Sequence, residues 1–210
     1  MNQHLIELYI QHTLTNQKSP ESVFLFAKEA GITESEFYNH YASLHALESD
    51  IFAGWWTKTA ETASANEVYQ NYSAHEKVLA LFFTWIEHLR NHRSFVVYLY
   101  NRDAKQFPPK LYPNYLKALH EKFNDTIKPI LGSAIDNKEI VDRKYLSDKY
   151  ADGLWANFLF VTNFWLKDES KGFEKTDESI EKSVNLAFEL MGKSALDSAL
   201  EFGKFLFQNK

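Results

Sequence analysis

Large apolar residues recur at intervals of three and four along most of this chain, and hardly anywhere at intervals of two. That spacing is the period of one face of a helix, whereas a half-buried strand requires alternation. Only 7 glycines and 5 prolines interrupt it in 210 residues. The expected fold class is therefore all-α, with no strand.

Punctuation residues divide the pattern into helices. The first is expected over Gln3 to Thr15, with Leu5, Leu8, Tyr9 and His12 on one face. Ser19-Pro20-Glu21 supplies an N-cap, a proline at the first helical position and an acid for the helix dipole, so a second helix is expected from there to Ala30. Gly31 can take the left-handed conformation that ends it, and Thr33 with Glu36 forms a capping box for a short third helix ending near Tyr41. Ser43, Leu44, Leu47, Ile51 and Trp55 start a fourth that runs past Lys58. A second capping box, Ser73-Ala-His-Glu76, opens an apolar helix through Ile86 to His92, and a shorter one follows over Ser94 to Arg102. After Pro108, Pro109 and Pro113 a long helix is expected from Asn114 to Leu131, ended by Gly132. Asp136 to Lys144 reads as a loop, and Leu146 to Leu166 as a helix apolar on every side, as expected of one covered on all faces by a partner chain. Asp177 to Met191 carries Ile180, Val184, Ala187, Phe188 and Met191 on one stripe, and a last short helix turns Leu196, Leu200 and Phe205 inward. The organisation is a small head, residues 1–45, and a larger body, residues 46–210.

The chain has no cysteine, which removes disulfides, thiolate catalysis and cysteine-based metal centres. Its N-terminus lacks the basic and apolar regions of a signal peptide, so a cytoplasmic location is expected. The longest uncharged apolar stretch, Leu154 to Leu166, falls short of the roughly 20 residues that span a bilayer. There is no nucleophile elbow, phosphate-cradling glycine loop or dinucleotide fingerprint, and an enzyme is not expected.

The run from Ser22 to Tyr41 resembles the TetR family of bacterial transcriptional regulators. Ala27 to Thr33 matches the stretch that spans that family's helix-turn-helix turn, and Tyr38-Asn39-His40-Tyr41 matches the element closing its recognition helix. The segment Phe173 to Phe188 is similar to the final dimerisation helix of a TetR subgroup. The resemblance implies a three-helix DNA-binding head and a helical-bundle body that binds a ligand and dimerises. It implies a homodimer through helices 146–167 and 177–191, with two heads entering successive major grooves about 34 to 36 Å apart. It also implies that filling the body's cavity releases DNA, a coupling between two sites. The residues placed to meet DNA are Thr33, Ser35, Tyr38, Asn39 and His40.

Charge sets the head apart from that pattern. Residues 1–54 hold two basic side chains, Lys18 and Lys28, against seven acids, so 2 − 7 = −5, and these residues carry the whole net charge of the chain. DNA binding draws much of its affinity from phosphate neutralisation by Lys and Arg. The family's usual basic residue early in the second helix falls on Phe24, and the lysine that often follows the recognition helix falls on Leu44. Two readings of the head follow: double-stranded DNA bound with unusual or reduced affinity, or a three-helix unit kept for packing while the protein binds a hydrophobic molecule or meets a protein partner.

The body is rich in rings, with 16% aromatic residues in the chain as a whole. Most such residues form core, yet small-molecule sites are also apolar shells holding a few placed polar groups. Trp85, Phe123 and Phe160 for the shell, with His88 and Asn157 for the polar groups, are the candidate contacts to a mainly apolar, lipid-like ligand. His88 and His92 lie one turn apart beside Glu87, a spacing that can chelate a metal, but a third ligand must come from elsewhere and no metal is assigned.

Overall fold

The computed structural model describes residues 2–104, 116–144 and 146–192, together with Phe205 and Gln208. Among them there is no strand. The α-helices are α1 (Gln3–Asn16), α2 (Val23–Glu29), α3 (Glu34–Tyr38), α4 (Leu44–Ser64), α5 (Ala74–Arg90), α6 (Arg93–Ala104), α7 (Leu116–Asp136), α8 (Tyr150–Lys167) and α9 (Glu174–Met191). They divide into two compact units, one of residues 1–62 and 85–123, the other of residues 63–84 and 124–210. No helix of the described residues is long and apolar enough to cross a membrane.

In the first unit the connection between α2 and α3 is made by backbone chemistry. Gly31 sits at φ +71, the Ile32 amide donates to the Ala27 carbonyl (2.9 Å) and the Gly31 amide to the Lys28 carbonyl (3.2 Å). These two bonds satisfy carbonyls that the end of α2 would leave open. Two residues later the Thr33 hydroxyl accepts from the Glu36 amide (3.2 Å), and the Glu36 carboxylate accepts from the Thr33 amide (2.7 Å). A helix as short as α3 cannot hold itself in water, so this reciprocal cap and the wholly buried Phe37 keep it in place. An added Cβ at position 31 meets no atom within 4 Å, so substitution strains the backbone rather than the packing. Gly31→Ala is expected to cost about 1–2 kcal/mol, the left-handed penalty of an L-residue, read as a loss of unfolding free energy in urea.

Rings fill the interior of the same unit. Tyr9 meets Phe26 edge-on at 5.7 Å between centroids, and Phe26 meets Phe37 at 6.0 Å, joining α1, α2 and α3. Beside them Glu48 of α4 is buried and takes a two-pronged salt bridge from Arg102 of α6 (2.5 and 3.1 Å). The Tyr9 hydroxyl donates to the same carboxylate (2.5 Å), and Arg102 also reaches the Ser19 hydroxyl (3.2 Å) and Asp103 (2.9 Å). Burial disfavours the Arg102 charge, but these bonds outweigh it and hold its pKa above the ordinary value.

In the second unit α8 packs along α9, with Leu154, Phe158, Val161 and Trp165 of α8 and Ile180 and Val184 of α9 buried. Phe82 of α5 meets Phe158 edge-on at 5.6 Å. The start of α9 is organised by Asp168, whose carboxylate accepts from the Ser170 amide (2.8 Å), the Thr176 amide (2.9 Å) and the Thr176 hydroxyl (2.6 Å). Its far end is held by Arg143, which donates to the carbonyls of Leu190 (3.1 Å), Met191 (3.3 Å) and Gly192 (2.8 Å).

Several boundaries differ from those read in the sequence. The N-cap of α2 is Ser22, whose hydroxyl accepts from the Leu25 amide, so Ser19 and Pro20 belong to the preceding connection. Ser19 is used there instead, its amide donating to the Tyr98 hydroxyl (2.9 Å). Gly132 does not end α7, which runs on to Asp136, because Leu131 and Ala134 continue the buried stripe and offset the roughly 1 kcal/mol cost of an interior glycine. Lys138, at φ +60, makes the turn that Gly132 was expected to make. A single 3-10 turn, Ser147–Lys149, precedes α8, and α9 starts three residues early at Glu174. Asn114, Leu196 and Leu200 lie outside the described residues, and Phe205, expected to face inward, is exposed.

The buried titratable groups set different acid limits. Burial pushes the Asp168 carboxyl up, but its hydrogen bonds to Thr176 and Ser170 overcome this and hold it at about 2 against an ordinary 3.8. A depressed carboxylate stabilises the fold above its unfolded value and ceases to as pH falls through the folded one. His88 and His92 are both pushed below the ordinary 6.5 by burial, His88 further by the charges of His92 and Lys58. The unfolded chain takes up those protons first, so stability falls as pH drops below about 6.5. Unfolding free energy is expected to decline below that pH, less so in His88→Gln, and to decline again between pH 4 and 2, a second step that Asp168→Asn makes smaller.

Candidate functional site

The head presents a face built on α3 and the residues that follow it. Phe37 points into the core, which turns Ser35, Tyr38, Asn39 and His40 outward, Tyr38 with 51% of its surface exposed. Thr33 is also exposed, though its hydroxyl is committed to Glu36 through the cap. The five residues expected from the sequence to meet DNA are thus brought together on one short segment. Glu34 and Glu36 share it, and Phe24 and Leu25 of α2 are exposed at 58% and 46%. Of the two head lysines, Lys18 is paired with Glu21 at 2.5 Å. One acid is neutralised inside the unit, since Glu48 is taken by Arg102.

A second constellation lies elsewhere in the same unit. Trp85 of α5 meets Trp56 of α4 at 5.9 Å, and Trp56 meets Phe123 of α7 at 5.0 Å while its indole nitrogen donates to the Lys122 carbonyl (3.2 Å). One turn after Trp85, the His88 ring lies 5.8 Å from Trp55 and 5.5 Å from His92, and His92 stacks flat on Trp55 at 4.4 Å and 14°. The Nε2 atom of His88 is buried and makes no hydrogen bond. Among the described residues no three His, Cys, Asp or Glu side chains gather as they would around a metal ion.

The remaining two ligand candidates belong to the second unit and face different ways. Asn157 is half-buried, and neither its amide nitrogen nor its amide oxygen, both buried, finds a hydrogen-bond partner. The carbonyl oxygen of Asn124 on α7 is in the same state. Phe160, by contrast, is 51% exposed, its ring 6.2 Å from Phe164. With Leu186 at 56% and Leu190 at 66% it gives α8 and α9 large apolar side chains on their open sides.

Sequence reasoning gave no functional or pairing role to Trp55, Trp56, Asn124, Glu48 or Arg102. A signal existed for Glu48: it stands between Leu47 and Ile51 on the apolar stripe of α4, where an acid needs a partner.

The chain matches the family model of the tetracyclin repressor-like C-terminal domain over residues 77–206. Among curated proteins no sequence matches it. Its structure is similar to that of Thermus thermophilus FadR, a TetR family transcriptional repressor in complex with lauroyl-CoA, with a TM-score of 0.65 and 16% identity over 92% of this chain and 96% of that one. It is also similar to a proposed tetR family transcription regulator from Shewanella sp. PV-4, with a TM-score of 0.61 and 14% identity over 91% and 98%. A proposed fatty acid metabolism regulator from Clostridium perfringens gives 0.55 and 18% identity over 88% and 97%.

Proposed function

The chain belongs to the tetracyclin repressor-like (TetR) family, and from that premise we propose that it is a cytoplasmic, non-enzymatic, homodimeric regulator of transcription whose body senses a mainly apolar small molecule. The observation that carries this reading is the family match, which spans the part of the chain holding α8, α9 and all five candidate ligand contacts. The division into a head of residues 1–45 and a body from residue 46 is part of the same proposal.

A long acyl chain attached to a polar carrier is the ligand class we favour. Two observations support it. The Thermus repressor of the same fold holds lauroyl-CoA. A buried polar atom without a partner costs about 1–3 kcal/mol, and within the second unit the unpaired side-chain amide atoms of Asn124 and Asn157 are suited to a ligand that brings hydrogen-bonding groups along with an apolar chain. Trp85, His88, Phe123 and Asn157 remain the proposed contacts, and the exposed Phe160 is proposed for the dimer interface instead.

Native mass spectrometry of freshly purified protein tests dimer and ligand together. Two chains of 24.5 kDa carrying a retained acyl compound are the expected result. A 24.5 kDa species that lauroyl-CoA neither adds to nor shifts in tryptophan emission would refute the proposal.

For the head, duplex DNA is met through Thr33, Ser35, Tyr38, Asn39 and His40 by hydrogen bonds rather than charge. Each neutralised phosphate adds roughly 0.9 to the logarithmic salt slope, and residues 1–54 offer two lysines. Binding to the chain's own upstream DNA should therefore be weak and nearly salt-independent for the family. A second reading, in which the head has left DNA and acts through a protein partner or not at all, is favoured by the acids on α3 and the exposed apolar residues of α2. Absence of saturable DNA binding even at low salt selects it.

A further inference from the structure

The head carries an apolar surface that neither small-molecule binding nor dimerisation uses and that shares only Tyr38 with the DNA contacts of the first reading. Phe24 and Leu25 on α2 and Tyr38 on α3 are 58%, 46% and 51% exposed, on two helices packed against each other. The fold does not need them outward, since Leu5, Tyr9, Phe26 and Phe37 already close the interior with at most 1% exposure each. Exposed apolar side chains rimmed by polar residues mark interaction sites. The rim here is acidic: Glu21, Glu29, Glu34 and Glu36 are all exposed on the same stretch of chain, with Glu21 joined to Lys18 and Glu29 to the His12 ring (2.6 Å), and Lys28 is the other lysine there.

That combination selects the occupant. A phosphate backbone is repelled by the rim and gains nothing from Phe24 and Leu25. A negatively charged membrane surface meets the same repulsion. A protein segment with alternating cationic and apolar side chains is complementary in both respects: its apolar residues cover the aromatic anchors, which carry most interface energy, and its lysines and arginines face the acids, which steer encounter and fix orientation.

We propose that the α2 and α3 face of the head is a docking surface for a basic, amphipathic segment of a partner protein, with Phe24, Leu25 and Tyr38 as its apolar anchors and Glu34 and Glu36 as the charges that orient it. This rests on the second reading of the head and names the class of partner. The body's ligand and the dimer do not depend on it.

The full chain can be titrated against a fluorescent 18-residue amphipathic helix of lysine and leucine, its glutamate and leucine counterpart, and a duplex DNA. Fluorescence anisotropy is expected to show the lysine peptide bound at least tenfold more tightly than the glutamate peptide. The double variant Phe24→Ser, Leu25→Ser should weaken the lysine peptide tenfold or more, with helical circular dichroism and native mass unchanged. If that variant loses helicity, Tyr38→Ser with Glu34→Gln serves in its place and should give the same weakening. Unchanged peptide affinity in the folded variant, or saturable DNA binding that the lysine peptide fails to displace, would overturn the proposal. Native mass and lauroyl-CoA binding are read on the same samples, so failure of the ligand-sensing dimer is seen separately from failure of the docking face.

Discussion

Arg102→Met is expected to destabilise the protein by about 3 kcal/mol or more, because removing one partner of a buried ion pair leaves the other charge uncompensated. Glu48 is 1% exposed, and without the guanidinium its carboxylate keeps one short bond, from the Tyr9 hydroxyl. The loss should appear as a fall of roughly 6–12 °C in the unfolding midpoint for a chain of this size. Glu48→Gln should cost less, since Arg102 retains Asp103 and the Ser19 hydroxyl. The double variant Glu48→Leu, Arg102→Met supplies the decisive comparison. Replacing both charges with apolar groups of similar volume is often neutral or stabilising, so it should recover most of what Arg102→Met loses. If the double variant is as unstable as the sum of the two single ones, the pair is not the coupled element described here. The other surface ion pairs, such as Lys182 with Glu178, should contribute at most about 1 kcal/mol when removed singly.

Phe160→Arg combined with Leu190→Glu is expected to separate the two subunits of the proposed dimer. Both side chains are more than half exposed in the single chain, on the helices assigned to the interface. In a twofold interface each position counts twice. Burial of a large apolar side chain contributes about 1.5–3 kcal/mol, so even one such site lost from both subunits removes about 4 kcal/mol, a weakening near 10³-fold in dissociation constant. Sedimentation velocity across nanomolar to micromolar concentrations would measure it. A variant that stays dimeric at the wild-type concentration would place the interface on other helices. Helical circular dichroism should be retained, because the buried sides of α8 and α9, including Phe158, Trp165, Ile180 and Val184, are untouched.

Much of this architecture can be read from residue order because it is local. The cap of α3 by Thr33 and Glu36, the turn at Gly31 and the box at Ser73 each involve atoms within five residues of one another, and the structure forms all three. Elements settled by distant partners were less legible. Ser19 looks like a helix cap until Tyr98, 79 residues away, takes its amide. Gly132 looks like a terminator until the buried stripe of α7 carries the helix beyond it. At the candidate site, exposure of Ser35, Tyr38, Asn39 and His40 follows from the single buried anchor Phe37 and could be anticipated from periodicity. The charge network around Glu48 could not, since Tyr9, Glu48 and Arg102 stand 39 and 54 residues apart. Nor can periodicity tell that Trp85 and Phe123 share one ring cluster through Trp56 while Phe160 faces out.

The five-residue helix α3 divides its labour cleanly between scaffold and message. Gly31, Thr33, Glu36 and Phe37 fix its path, and Ser35, Tyr38, Asn39 and His40 contribute little to that path while facing outward. A library randomised at the second set should therefore contain mostly folded members, whereas one randomised at the first should not. Such a head can exchange one target for another by point substitution at its exposed positions while the turn, the cap and the buried anchor stay as they are.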